Sequence, residues 1–210
     1  MTKTRKELYR LIAVLLQYPD QAWLQSVPEL ASGAKRLTEE KARQVAAEFL
    51  DYLASKPLLT LQEIYTAAFD LNPATSLNMT FHLLDDGEKR AALLVRLNQG
   101  YQALGYDGPA HDLPDFLPAM LEYLAVCPED APADLFRQCM AGLEGLVDRL
   151  REPAPAYAKL LDLLADDYRY WLQAVAPASC PGFVRFVEAN WNQARRRSRE
   201  DGGGDHEPCQ

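Results

Sequence analysis

His111-Asp112-Leu113-Pro114-Asp115-Phe116-Leu117-Pro118-Ala119-Met120-Leu121-Glu122-Tyr123-Leu124 is the stretch on which the reading of this chain turns. It begins as a proline-restrained loop. A residue before proline is pushed out of the helical region, so Leu113 and Leu117 favour extended backbone. A helix follows. Asp115 is a good N-cap residue, and proline is tolerated in a first turn whose N–H groups have no partner. Leu117, Leu121 and Leu124 are spaced 4 and 3 apart, which places them on one helical face. Asp115 and Glu122 are seven apart, so a helix beginning this early brings the two carboxylates together. The spacing by itself is equally that of a rigid loop and a capped core helix.

Working outward, the same 3/4 spacing recurs on both sides. Thr4-Arg5-Lys6-Glu7 has the form of a capping box ahead of Leu8, Leu11, Ile12 and Leu15. Tyr18-Pro19-Asp20 ends that helix, a short one follows near 21–24, and Pro28 and Gly33 break the chain. Thr38 suits a cap for a helix with Ala42, Val45, Phe49 and Leu53 inward. Thr60-Leu61-Gln62-Glu63 is a second capping box, opening a helix with Ile64, Tyr65, Ala68 and Phe69 inward. Residues 76–84 are apolar and read as helix. Leu94, Leu97, Tyr101 and Leu104 mark a long helix over about 88–105.

Beyond the central stretch, Asp130 suits a cap for a helix carrying Phe136, Cys139, Leu143, Leu146 and Leu150. Tyr157, Leu161, Leu164, Tyr168, Trp171 and Val175 mark the next, and a short helix covers roughly 183–193. No alternating β-run appears. The fold class is all-α, a single-domain bundle of about eight to ten helices over 1–194. Residues 195–210 are charged and glycine-rich without an apolar period, which predicts a disordered tail.

Charge narrows the function. The chain has 210 residues and a formal charge of −8, and residues 111–167 hold 4 basic against 12 acidic residues. That balance argues against nucleic acid as a partner and suits capture of a basic one. Four widely spaced cysteines make no Cys-x-x-Cys pair, no apolar leader begins the sequence, and no run approaches a membrane span. The expectation is a reduced, cytoplasmic protein without membrane insertion.

Signals for catalysis are weak. None of the three histidines follows a glutamate at the spacing of a di-metal bundle, and there is no phosphate loop or nucleophile elbow. His82 stands in an apolar context, so a haem or metal ligand is one reading and a core histidine the other. Tyr65, Phe69, Tyr101 and Phe116 are candidates for a peptide groove, or for ordinary core. The residues alone favour a binding role, and a general helical adaptor is compatible with them.

Three blocks add a resemblance. They are Tyr65-Thr66-Ala67-Ala68-Phe69-Asp70 with Thr75-Ser76-Leu77 and His82; Asp86 to Arg90, leading to Tyr101; and Leu113 to Pro118 with Glu122-Tyr123-Leu124. The chain resembles the NarJ-type nitrate reductase assembly chaperones, within the TorD/DmsD group of redox-enzyme maturation proteins. It departs at Asp85-Asp86 and Arg90-Ala91, where that group has Gly-Asp and a later Arg-Gly, so a role for Arg90 does not carry over. Phe116 stands where the TorD/DmsD branch has His, which favours the nitrate reductase branch.

The resemblance implies a TorD-like helical chaperone that is not an enzyme and carries no cofactor. It would bind the N-terminal peptide of the apo nitrate reductase α subunit and keep that subunit open for molybdenum cofactor insertion before membrane docking. Molybdenum cofactor biosynthesis proteins would be further partners. The implied peptide-binding residues are Tyr65, Phe69, Asp70, His82, Tyr101, Leu113, Asp115, Phe116, Leu117 and Glu122. Asp115 and Glu122 would meet a basic group, with Leu117 and Tyr65 or Phe69 supplying apolar contact.

Overall fold

A computed structural model describes residues 3–84, 87–109, 112–128 and 134–174. The helices among them are α1 (Lys3–Leu15), α2 (Gln21–Ala34), α3 (Glu40–Ala54), α4 (Leu58–Tyr65), α5 (Gly87–Ala103), α6 (Leu117–Val126), α7 (Asp134–Cys139), α8 (Leu143–Leu150) and α9 (Pro155–Ala174). The described chain is all-α, and its only β pairing is an isolated antiparallel bridge between Asn78 and Phe116. His111, the Asp130 cap, the helix over 183–193 and the tail lie outside the described residues.

The centre is α6. Every residue in it except Glu122 and Val126 is buried, as a helix apolar on all sides must be. It packs along α1, while α9 packs against α8 and α3, and α2 against α3. Helices α1 and α9 run antiparallel. Arg5 pairs with Asp167 near one end and Tyr9 donates to Asp167 at 2.5 Å. At the other end, Tyr65 donates to Leu16 O at 3.0 Å and sits edge-on to Tyr157. No helix among the described residues is long and apolar enough to cross a membrane.

Several helix starts differ from the sequence reading. Helix α1 is already formed at Lys3, so Thr4 lies inside it rather than ahead of it. Helix α3 starts after Glu39, not Thr38. Helix α4 starts at Leu58 because Pro57, at φ −61° and ψ 149°, is preset to precede a helix. Thr60 is therefore an interior residue. Helix α2 extends to Ala34 rather than stopping near Leu24: Asp20 accepts the Trp23 N–H at 2.6 Å, and Pro28 is carried inside the helix.

Two segments are not the helices expected of them. Residues 76–84 form no α-helix. The turns Pro73–Thr75 and Met79–His82 are 3₁₀, joined by a short non-helical link. The helix expected through Leu150 is split by a 3₁₀ turn at Met140–Gly142. Both departures have one cause, a set of long-range contacts made by the Met79–His82 turn.

Candidate functional site

The central loop and the Met79–His82 turn are locked together. Met79 N–H donates to Asp115 O at 3.0 Å and Leu117 N–H to Leu77 O at 2.9 Å. The Asp115 side chain is 0% exposed. Its carboxylate accepts from Thr80 N–H at 3.0 Å, from Asn78 Nδ2 at 3.2 Å and from the Thr80 hydroxyl. Arg90 Nη2 lies 3.6 Å from Oδ2, the oxygen that Thr80 also holds; Arg90 donates Nε–H to Thr80 Oγ1 at 2.9 Å and stacks 4.1 Å over the Phe81 ring. Burying a carboxylate is costly unless hydrogen-bond donors and a counter-charge surround it, and this set supplies both.

This corrects two expectations for Asp115. The helix starts at Leu117, and its N-cap is Phe116, at φ −63° and ψ 118°, with no side-chain cap. The extended residue is thus Phe116 rather than Leu117. Asp115 caps the opposite turn instead, and its carboxylate is enclosed rather than presented. Glu122 does not converge with it: half-buried on α6, it accepts the Tyr106 hydroxyl at 2.9 Å. Burial, reinforced by Glu122, pushes the Tyr106 hydroxyl up to about 12.

His82 is equally committed. Ser76 O lies 2.8 Å from Nε2, and Arg149 Nη2 lies 3.0 Å from Nδ1. A neutral ring donating from Nε2 and accepting at Nδ1 satisfies both. Burial, with Arg149 acting the same way, lowers the His82 pKa to about 4. Arg149 also donates Nε–H to Ala74 O at 2.5 Å. The chain leaves room for this because residue 142 is glycine: a Cβ there would stand 2.5 Å from His82 Cβ. The haem-ligand reading of His82 fails on this geometry, since neither ring nitrogen is available. Among the described residues no three His, Cys, Asp or Glu side chains gather as a metal site requires.

The groove candidates are mostly interior. Tyr65 and Phe69 are buried, 5.0 Å apart, in a set of edge-on rings with Tyr157 and Phe49. Tyr65 precedes, and Phe69 lies within, a π-turn at Thr66–Asp70, a backbone irregularity frequent at functional sites. Tyr101 is buried against Tyr123 and Phe136 and donates to Pro114 O at 2.9 Å. Leu117 is fully buried and Phe116 half-buried. As lining for a groove these five side chains expose little, because each fills the core from which the loop is hung.

Open surface lies beside them. Asp70 and Asp112 are exposed, as are Leu71 at 75% and Leu113 at 43%. Tyr18, 45% exposed, meets Tyr65 edge-on at 5.4 Å. Burial raises the Tyr65 pKa, and the charges of Asp70 and Asp112 both add to the effect. The result is a face with apolar points and two acids around buried Tyr65. Thr80, Asn78, Arg90, Arg149 and Gly142 were not evident from sequence spacing, since their partners lie up to 75 positions away.

Fold and site together define an all-helical protein built on a locked loop and turn. The nitrate reductase delta subunit profile matches residues 35–166, and the chain belongs to that family. It is 27% identical over 163 residues to the probable nitrate reductase molybdenum cofactor assembly chaperone NarJ of Bacillus subtilis (strain 168), covering 78% of this chain and 89% of that one. It is 32% identical over 157 residues to the nitrate reductase molybdenum cofactor assembly chaperone NarJ of Escherichia coli (strain K12), covering 73% and 66%. The probable chaperone NarW of the same strain is 31% identical over 160 residues, covering 75% and 66%.

Proposed function

We propose that this chain is a dedicated cytoplasmic assembly chaperone, a binder rather than a catalyst. It holds the N-terminal segment of an apo nitrate reductase α subunit. It keeps that subunit competent for molybdenum cofactor insertion and delays its docking to the membrane subunit. The observation that carries the reading is the family match over 35–166, which spans the locked loop and turn.

The exposed face around Tyr65 suits the task. Leu71, Leu113 and Tyr18 offer apolar contact, and Asp70 and Asp112 offer charge for a basic side chain. An amphipathic peptide laid across such points is held by its apolar face and oriented by its charges. Phe116, Glu122 and His82, each half-buried, border the loop and turn behind it. Asp115, Tyr65, Phe69, Tyr101 and Leu117 serve from beneath, holding that face in shape.

Calorimetry with the N-terminal peptide of a nitrate reductase α subunit from the same organism tests this. Saturable 1:1 binding is expected, weakening as salt rises from about 0.05 to about 0.5 M because exposed charges are screened. Absence of binding to that peptide at any salt would overturn the reading.

A further inference from the structure

The link between α1 and α2, Leu16 to Asp20, brings one ring to the client-binding face. Tyr18 stands within it, 45% exposed and edge-on to Tyr65 at 5.4 Å. Leu71 and Leu113, the other apolar points of that face, belong to separate segments, so Tyr18 is placed by supports of its own. Pro19 presses the residue before it into extended backbone and has no N–H with which to tie the link down. Carbonyls just past a helix end have no intrahelical donor. The link is therefore held from outside.

Helix α4 supplies the hold. The Tyr65 hydroxyl donates to Leu16 O at 3.0 Å. Three residues earlier on the same helix, Gln62 Nε2 donates to Pro19 O at 2.9 Å. Residues three apart are neighbours on a helix surface, so one face of α4 grips the chain on both sides of Tyr18. Pro19 O can only accept, which fixes the Gln62 amide with its NH₂ toward the link. Beyond Pro19, Asp20 accepts the Trp23 N–H at 2.6 Å and joins the link to α2. The Tyr65 ring, buried against Phe69 and Tyr157, is the floor on which Tyr18 rests. Gln62, half-buried, is a grip without being part of that floor.

We propose that Gln62 is a positioning residue for client binding: its bond to Pro19 holds the Tyr18 ring on Tyr65, set to meet the apolar side of the peptide. The proposal rests on the client-binding reading of this face. A ring that is already fixed loses little freedom when the peptide arrives. A loose one must be ordered on binding, which weakens affinity.

Two measurements on the full chain test it. With isotope-labelled tyrosine rings, and Tyr18→Phe to assign the signal, NMR reads Tyr18 without any peptide. Gln62→Met keeps side-chain length and helix propensity but removes the donor. It should move the Tyr18 signal and leave that of Tyr170, on α9, in place. Calorimetry with the α-subunit N-terminal peptide should then show binding about three- to tenfold weaker than the parent chain. In a Tyr18→Ala background the same change should weaken binding no further, since a residue that acts through Tyr18 has nothing left to act on. If Gln62→Met fails to fold, Gln62→Leu makes the same comparisons. An unmoved Tyr18 signal, an unchanged affinity, or a full further loss in the Tyr18→Ala background would each overturn the proposal and leave the client reading standing. A parent chain that binds no peptide would overturn both.

Discussion

Asp112 and Asp115 are three residues apart on one loop and have opposite fates. Asp112 is exposed and its charge is felt at Tyr65, whereas Asp115 is 0% exposed and caps a turn 35 residues away in sequence. Type and neighbourhood are alike, so neither composition nor motif separates them. What separates them is which donors the fold brings close. The buried acid has Thr80, Asn78 and Arg90. The exposed one shares with Asp70 the open rim around Tyr65. In this reading the block that carries the family resemblance is chiefly a scaffold, and recognition falls to residues at its edge.

The largest effect should come from removing the buried acid. Asp115→Ala leaves Arg90 without its counter-charge and the Thr80 N–H without an acceptor. Breaking a buried ion pair by deleting one partner costs about 3–5 kcal/mol. Asp112→Asn should change stability by no more than about 0.5 kcal/mol, as for an ordinary surface position. Urea unfolding of the two variants side by side measures the contrast, and equal losses would abolish it.

The turn that Asp115 caps should also show itself through pH. His82 is held neutral with its pKa lowered to about 4, against about 6.5 in an unfolded chain. Between those values the unfolded state takes up a proton that the folded state refuses. This contribution to stability is therefore complete above about pH 6.5 and is lost progressively toward pH 4, by up to about 3 kcal/mol. Unfolding measured at pH 7, 6, 5 and 4 should show that loss, and His82→Gln should flatten the curve over the same window. An unchanged slope in the variant would show that other groups govern acid sensitivity.

Gly142→Ala sharpens the same point with a smaller effect. Its new Cβ would stand 2.5 Å from His82 Cβ, and a forced shift of this kind costs about 1–3 kcal/mol. Gly87→Ala, where a Cβ meets nothing within 4 Å, is the control for melting temperature. The smallest effect is expected at the far terminus. Truncation after Gln193 should leave peptide affinity within a few-fold, since the charged tail has no apolar surface to contribute. A tenfold loss, about 1.4 kcal/mol, would make the tail part of the site.

Helices were legible where an unbroken apolar stripe faced the core. Leu117, Leu121 and Leu124 on α6, and Tyr157, Leu161 and Leu164 on α9, are all buried as their spacing implied. Residues 76–84 are as apolar, yet their conformation is decided by Asp115 and Arg149, far along the chain. No local period carries that information. The capping box at Thr60 lost to Pro57, whose fixed φ opened the helix earlier. Among candidate site residues, type was a poor guide to exposure: aromatic and acidic side chains serve core and surface alike, and only the assembled neighbours distinguish them.

The most direct test is calorimetry of the α-subunit N-terminal peptide against the Asp70→Asn/Asp112→Asn double variant, with melting temperature measured in parallel. The exposed-rim account predicts an unchanged melting temperature and binding at least tenfold weaker than the parent chain. Binding equal to the parent, while a folded Asp115→Asn variant loses affinity, would contradict it and return recognition to the buried carboxylate.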